Sequence, residues 1–500
     1  MILFDTDSAG KRVGNFWNGI HFHPTDAIED DWGKRILDEI AEDRAADTVR
    51  LYAMLEDIVT RAPDGTLAYD FSLCDRRLDY LTEKGFGLLI SFNFMPACMA
   101  ENAALLSAQA KNRTRYKGKM IITSPPRDYG EWEEVCHVTA EHLLQRYGEE
   151  QVSHWYLQCW NEPDISAFFM GDVPNTDAGE NLRLREYLRL YAAFAHGVKR
   201  VSQRFLIGQS LACELPFLDG FLRTAKETGL PLDFISLHTY GTSVWELNRP
   251  GGKRFHAENT VRVYDEYRKV TDAYFPELPV IIDEWGASSQ GFCNREECPA
   301  LLFREDSGFA AYFCKMVAAY LRENARIEKM MICLSGQHEM TVDFSGFRNF
   351  FTLHHIRKPI YNAYVLMGKL RERVLLQYTD GPLTALGTVS DDGETAVLAL
   401  AYAHETFSEP LPPRTETIVF RGFQGEKTVT VWLIDETHTN PYRLALRFGW
   451  GDGEYTEEQL AILREEGRLK PFSVRKQDFD REQEVSVTLG SNALCLIEVR

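Results

Sequence analysis

DYGEWEEVCHVTAEHLLQRYGEEQVSHWYLQCWNEPD, residues 128–164, holds one complete unit of the pattern that decides the fold. Asp128 offers a side-chain oxygen to the unpaired N–H groups of a helix start, and Trp132, Val135, Cys136, Thr139 and Leu143 recur behind it on one helical face. WYLQCW (155–160) is a short apolar run of strand length, and it ends abruptly in the polar Asn161-Glu162-Pro163-Asp164. A helix with one apolar stripe followed by a buried strand is the repeating part of a parallel sheet covered by helices.

The same alternation extends in both directions. FWNGIHFH (16–23), TVRLYAM (48–54), GLLISFNF (87–94), FLIGQ (205–209), FISLH (234–238), VIID (280–283) and MMICL (330–334) complete a set of eight runs with amphipathic stretches between them. Eight units close into a (β/α)8 barrel of the TIM type more naturally than they form an open sheet. Beyond Lys358-Pro359 one more helix is expected in YNAYVLMGKL, and strands then dominate. LTALGTVS and TAVLALAY flank the hairpin signal Asp391-Asp392-Gly393, and TIVFRGF, KTVTVWLID and VSVTLGSNALCLIEV follow. The expected organisation is a catalytic barrel over 14–355, with residues 1–13 and 356–500 in an accessory β-sandwich. A short helix near 456–466 opens on the capping box Thr456/Gln459.

Acidic residues outnumber basic ones by 74 to 55, for a formal charge of −19, and no basic cluster interrupts the excess. Nucleic acid and anionic membranes are poor partners for such a surface. The opening MILFDTDSAGKRVGN lacks the basic and apolar regions of a secretory signal, and no window approaches the ~18 apolar residues of a membrane span, so a cytoplasmic location is expected. Several of the ten cysteines (Cys136, Cys159, Cys314, Cys333, Cys495) sit in apolar stretches and read as small hydrophobes, and Cys293 and Cys298 lack a second pair at zinc spacing.

In a parallel barrel the reacting groups stand at the C-terminal ends of strands. Two runs end in glutamates: run four in Glu162, where Trp160 is expected to supply an aromatic wall and Pro163 to stiffen the turn, and run seven in Glu284. Alone, either reads as a solvated carboxylate. Strands four and seven face each other across the mouth, however, and retaining cleavage of a glycosidic bond needs two carboxyl groups roughly 5–5.5 Å apart. One carboxylate raises the pKa of the other, which keeps an acid available near neutral pH.

These motifs carry a resemblance. WNEPD and DEW look like the acid/base and nucleophile motifs of clan A retaining glycosidases, and the chain resembles glycoside hydrolase family 39 through SPPRDYGEWEE (124–134), RYGEEQVSHWYLQCWNEPD (146–164), DFISLHTYG (233–241), IIDEWGASS (281–289) and KPIYNAYVLMGKL (358–370). That family contains β-xylosidases and α-L-iduronidases. The resemblance implies a barrel followed by a β-sandwich to which the first dozen residues add a strand. It also implies a retaining mechanism with Glu162 as acid/base and Glu284 as nucleophile. Asn161 would then bind the sugar 2-hydroxyl, and His238 and Tyr240 would match a pair beside the nucleophile. Glu339 would be a sugar contact, Trp285 a further one, and Tyr52 a departure where a histidine is usual. Ile332 stands for a xylosidase-like tryptophan, and Tyr240 for an iduronidase-like lysine. Arg348 is read either as a compensating grip on a carboxylate or as a surface arginine.

His21 and His23 point the same way from one strand and are expected to contact sugar hydroxyls rather than a metal. No cofactor is expected, because two carboxylates carry the reaction. The expected activity is exo-cleavage of a terminal xylosyl- or arabinosyl-like unit from an oligosaccharide or glycoside, by an enzyme that the resemblance allows to be a homo-oligomer. The alternatives are an α-L-iduronidase-like uronosidase, an inactive sugar-binding barrel, and a metal-dependent isomerase or hydrolase built on the histidine pair.

Overall fold

The computed structural model describes residues 1–22, 31–52, 55–107, 121–212, 214–242, 257–291, 293–323, 326–334, 340–404, 410–450 and 454–500. Two short strands, β1 (Ile2–Asp5) and β2 (Lys11–Arg12), come first and belong to the second of two large sheets. The barrel begins with β3 (Gly19–Phe22) and β4 (Thr48–Tyr52), after which a small hairpin of β5 (Val59–Arg61) and β6 (Leu67–Tyr69) stands apart. It continues through β7 (Gly87–Phe92), β8 (Tyr156–Cys159), β9 (Leu206–Gln209), β10 (Ile235–Tyr240), β11 (Val280–Gly286) and β12 (Ile327–Leu334). The eight pair in parallel in the order β10-β11-β12-β3-β4-β7-β8-β9. Bridges from Gly208 to Phe234 and from Leu211 to Leu237 close the seam between β9 and β10. Gly208 is needed there, because a Cβ would lie 2.5 Å from the Phe234 ring. All eight runs are thus strands of one closed sheet.

The unit read first behaves as its spacing predicts. Asp128 accepts from the Gly130 N–H, the helix Tyr129–Tyr147 buries Trp132, Val135, Cys136, Thr139, Ala140 and Leu143, and Gly148 ends it at φ 80°. That face lies against the barrel wall with the helix Asp177–Val201 alongside; Trp132 Nε1 donates to the Leu190 carbonyl at 3.1 Å.

Strand alternation sorts the wall from the interior. Phe92 packs outward on Phe194, whereas Ser91 turns inward to Gln158. Near the N-terminal strand ends, Leu89, Phe234, Ile281 and Met331 form an apolar cluster of their own. Polar side chains fill the layers above it.

The second sheet comprises β13 (Arg373–Asp380), β14 (Leu383–Val389), β15 (Ala396–Tyr402), β16 (Arg414–Ile434), β17 (Pro471–Leu489) and β18 (Ala493–Val499), joined by β1 and β2. TIVFRGF and KTVTVWLID are not two strands but one. β16 runs through both, with a register slip between Arg421 and Gln424 and left-handed backbone at Gly422 (φ 98°) and Gly425 (φ 75°). Its first half pairs with β1 and its second with β18, while β17 follows it along both. The ribbon therefore folds the sheet over itself into two layers. Ile2 and Phe4 of β1 and Ile418 and Phe420 of β16 pack on Leu383 and Ala385 of β14 and on Leu398 and Leu400 of β15. Gly387 leaves room for the Phe4 ring, 2.3 Å from where a Cβ would stand. The opposite face of β14, β15 and β18, with Leu386, Val397, Ala399 and Leu496, merges with the barrel core, beside the helix Ser307–Arg322.

Several elements were not read from sequence, among them the β5–β6 hairpin and β13. The greater part of β17, PFSVRKQDFDREQE, is mostly exposed and lacks an apolar alternation, so only its pairing with β16 makes it a strand. The helix Pro441–Arg447 is seven residues long with just Pro441 and Ala445 buried. The capping box forms as read: Thr456 accepts from the Gln459 N–H, and Gln459 Oε1 accepts from the Thr456 N–H.

Candidate active site

The site is built by two local departures from regular backbone. In the first, the β10–β11 register jumps from Leu237/Ile282 to His238/Glu284, which leaves Asp283 as an extra residue in β11. Such a bulge re-aims side chains, and here Asp283 and Glu284 both reach the barrel interior. In the second, Trp160 (φ 68°) and Glu162 (φ 48°) after β8 adopt left-handed backbone. For residues with a Cβ this costs on the order of 1–3 kcal/mol each. Asp164 anchors the turn by accepting from the N–H groups of Ala212 (2.8 Å) and Glu214 (3.0 Å).

Around these turns the carboxyl groups of Glu162 and Glu284 converge. An oxygen of each and a His238 ring nitrogen lie within 4.8 Å of one another. His238 Nδ1 is 2.8 Å from Glu162 Oε1 and 3.6 Å from Glu284 Oε2. Glu284 is held from several sides: Arg50 Nη1 donates to Oε1 at 2.7 Å, Tyr240 donates to Oε2 at 2.6 Å, and His21 Nδ1 is 3.2 Å from Oε1. Arg348 Nη1 donates in turn to the Tyr240 hydroxyl at 2.8 Å.

The two glutamates differ in charge preference. Burial pushes Glu162 above the usual carboxylate range against the pull of His238, and the Glu284 charge adds to the push. Glu284 is equally buried, but His238, His21 and Arg50 outweigh that burial and hold it well below the ordinary range. His238 is pushed well above its usual value despite burial, by Glu284, Asp283 and Glu162. His21 is lowered to about 4 by burial and by Arg50. Burial raises Tyr240 well above 10, so it stays a hydrogen-bond donor. The surroundings therefore favour the proton on Glu162 and the charge on Glu284.

Sequence reading missed the residue that organises this network. Arg50, fully buried on β4, reaches Glu284, the Asn161 Oδ1 (2.7 Å), the Gln158 Oε1 (3.0 and 3.1 Å) and Asp283 (3.1 Å). Gln158 Nε2 donates to Ser236 (2.8 Å) and Asp283 (2.9 Å). The signal was a lone arginine inside an apolar run, TVRLY.

Asn161, His238, Tyr240, His21 and Arg348 are brought together with the two glutamates. His23 and Glu339 lie outside the described residues, as does the Tyr52 side chain. Three expectations are corrected. Trp285 faces away from the mouth, because the bulge reverses parity after Glu284: it stacks on Phe313 at 5.5 Å and donates to the Tyr364 hydroxyl at 3.1 Å. Trp160 does not wall the site either, but is buried against Phe94, Trp132 and Phe169. Ile332 belongs to the wall-side core, and it is Cys333, its Sγ 3.5 Å from His21 Nδ1, that faces the interior.

Two triads have metal-ligand spacing, His21/Glu284/Cys333 and Glu162/His238/Glu284. Each already contains or touches a cation: the Arg50 guanidinium contacts both His21 and Glu284, and His238 carries charge itself.

A closed parallel barrel with two opposed carboxyl groups at the C-terminal strand ends is the architecture of a barrel glycosidase. The sequence model of Glycosyl hydrolases family 39 matches residues 1–471, and the chain belongs to that family. A β-xylosidase of Caldicellulosiruptor saccharolyticus is 26% identical over 95% of this chain and 93% of its own length. Human α-L-iduronidase is 27% identical over 40% of this chain and 28% of its own. Among solved structures, a monomeric β-xylosidase from Caulobacter crescentus CB15 superposes with a TM-score of 0.81 at 21% identity, covering 100% of this chain and 99% of its own. The protein is thus a glycosidase acting on a carbohydrate substrate. Among the described residues no helix is long and apolar enough to cross a membrane.

Proposed function

We propose that the enzyme is a retaining exo-glycosidase that removes a terminal xylosyl- or arabinosyl-like unit, with Glu162 as acid/base and Glu284 as nucleophile. The observation that supports this most is the close approach of two carboxyl groups with opposite charge preferences. A Glu284 oxygen attacks the anomeric carbon while the bond to the leaving oxygen breaks, and Glu162 gives that oxygen its proton. Esterification removes the Glu284 charge, so the Glu162 pKa falls and its carboxylate takes a proton from water. The water oxygen attacks the same carbon and releases Glu284, and two displacements give net retention. Arg50 fixes the Asn161 amide by occupying its oxygen, which turns its NH2 toward the substrate side as a donor to the 2-hydroxyl.

The xylosyl preference rests on the β-xylosidase relative that spans 95% of the chain. A uronosidase reading is favoured by one observation: Arg348 stands at the site beside Tyr240, with a fork suited to a carboxylate. We read residues 14–355 as the catalytic unit and 1–13 with 356–500 as its accessory unit. A panel of aryl β-xylosides, α-L-arabinosides and α-L-iduronides, with NMR of the first product, tests sugar and mechanism together. First product of inverted configuration overturns the retaining assignment.

A further inference from the structure

The loop that carries Arg348 is gripped by buried charges that take no direct part in the chemistry. Glu305 and Lys358 form an ion pair with Nζ–Oε1 at 2.7 Å, both almost fully buried. The same Glu305 oxygen accepts from the Gly346 N–H at 2.7 Å, and Lys358 Nζ also donates to the Phe347 carbonyl at 3.2 Å. Arg304, next to Glu305, donates to the Gly346 carbonyl at 3.0 Å and to the Gln290 carbonyl at 2.7 Å, binding this loop to the one that follows the nucleophile strand. Two residues on from Gly346, Arg348 reaches the Tyr240 hydroxyl and the Ser289 carbonyl.

We infer that Glu305 and Lys358, with Arg304, are positioning residues: by clasping Gly346 and Phe347 they hold Arg348 on Tyr240, and so hold the Tyr240 hydroxyl on the Glu284 carboxylate. The inference rests on the assignment of Glu284 above. A buried ion pair is weak evidence for stability, since an apolar pair of similar volume often replaces it without loss. Its value here is the pair of backbone contacts that an apolar replacement does not make. Arg348 polarises the Tyr240 hydroxyl and strengthens its bond to Glu284, and hydrogen bonds in such a chain reinforce one another. The other groups facing Glu284 are Arg50, His21, His238, Asp283, Glu162 and Cys333. Among the described residues no hydrogen bond or ion pair joins the clasp to any of them, so its effect passes through Arg348 and Tyr240.

The test compares the double variant Glu305→Leu/Lys358→Met with Arg348→Ala. The double variant should fold, lose about tenfold in kcat/KM, and move the acidic limb of the pH profile upward. Arg348→Ala should produce the same upward shift, and combining all three changes should add nothing further. A folded double variant with wild-type kcat/KM and an unmoved acidic limb overturns the inference. Gly346→Ala supplies a second route if the double variant does not fold. It strains a φ of 84° and brings a Cβ to 3.3 Å from the Arg295 nitrogen, leaving the ion pair intact. An unmoved acidic limb in that variant counts equally against the clasp. An active Glu284→Gln enzyme would instead remove the underlying assignment, whatever the clasp variants show.

Discussion

The two ends of the barrel interior are made by the same strands and solve different problems. At the N-terminal end Leu89, Phe234, Ile281 and Met331 meet in an apolar plug against which Tyr156 and Leu206 pack. Two to four residues further along β10 and β11, Asp283, Glu284 and His238 join Arg50 of β4 and Gln158 of β8 and crowd charges into buried space. The plug needs only shape and apolarity. The charged layers need every partner in place, because an ion left alone in such surroundings costs several kcal/mol. The plug serves stability alone whereas the charged layers serve both stability and chemistry, and substitutions should show the difference.

The largest effect is expected from Glu284→Gln, which should lower kcat by on the order of 10⁴-fold or more with little change in melting temperature. Glu284→Gly with azide should regain turnover and yield a glycosyl azide of inverted configuration. Arg50→Met strikes both properties at once. It leaves Asp283 and Glu284 without their fixed cation, and denaturant unfolding should show a loss of about 3–5 kcal/mol together with loss of activity. Met331→Ala is the converse: a cavity in the plug should cost about 2–5 kcal/mol while kcat/KM of the folded enzyme stays near wild type. A large fall in kcat/KM there would show that the two ends are not separable.

The smallest effect concerns pH. Glu284 must be ionised, so activity falls as pH drops through its depressed pKa. Glu162 must be protonated, so activity also falls as pH rises through its elevated one. Tyr240→Phe removes a donor to the Glu284 carboxylate and should move the acidic limb upward by about one unit, equivalent to ~1.4 kcal/mol. An unchanged acidic limb would deny Tyr240 any part in setting that charge.

The barrel was legible because its strands are apolar runs whose polarity changes abruptly at one end, and both glutamates stand at that change. What remained hidden depends on parity. Trp160 and Trp285 sit beside the two glutamates in sequence, yet a left-handed turn and a one-residue bulge send them the other way. Neither irregularity has a local sequence mark, since no glycine stands at Trp160, Glu162 or Asp283. Arg50 was visible as an anomaly, but its partners come from β3, β8, β11 and the residue just past β9, and meet only when the sheet closes. The second sheet was legible where its strands are continuous apolar runs buried on both faces, as in β14, β15 and β18, and illegible where β17 is mostly exposed and polar.

The pairing of β1 with Ile418–Arg421 sets a timetable for biosynthesis. Residues 2–5 leave the ribosome early, while the strand they dock on follows more than 400 residues later, roughly 20–80 s at usual elongation rates. Phe4 spends that interval without its seat against Phe420 and Gly387. The barrel can close during synthesis, but this sheet completes only after nearly the whole polypeptide has emerged, so a chain arrested short of β16 keeps an unpaired apolar segment for chaperones to cover.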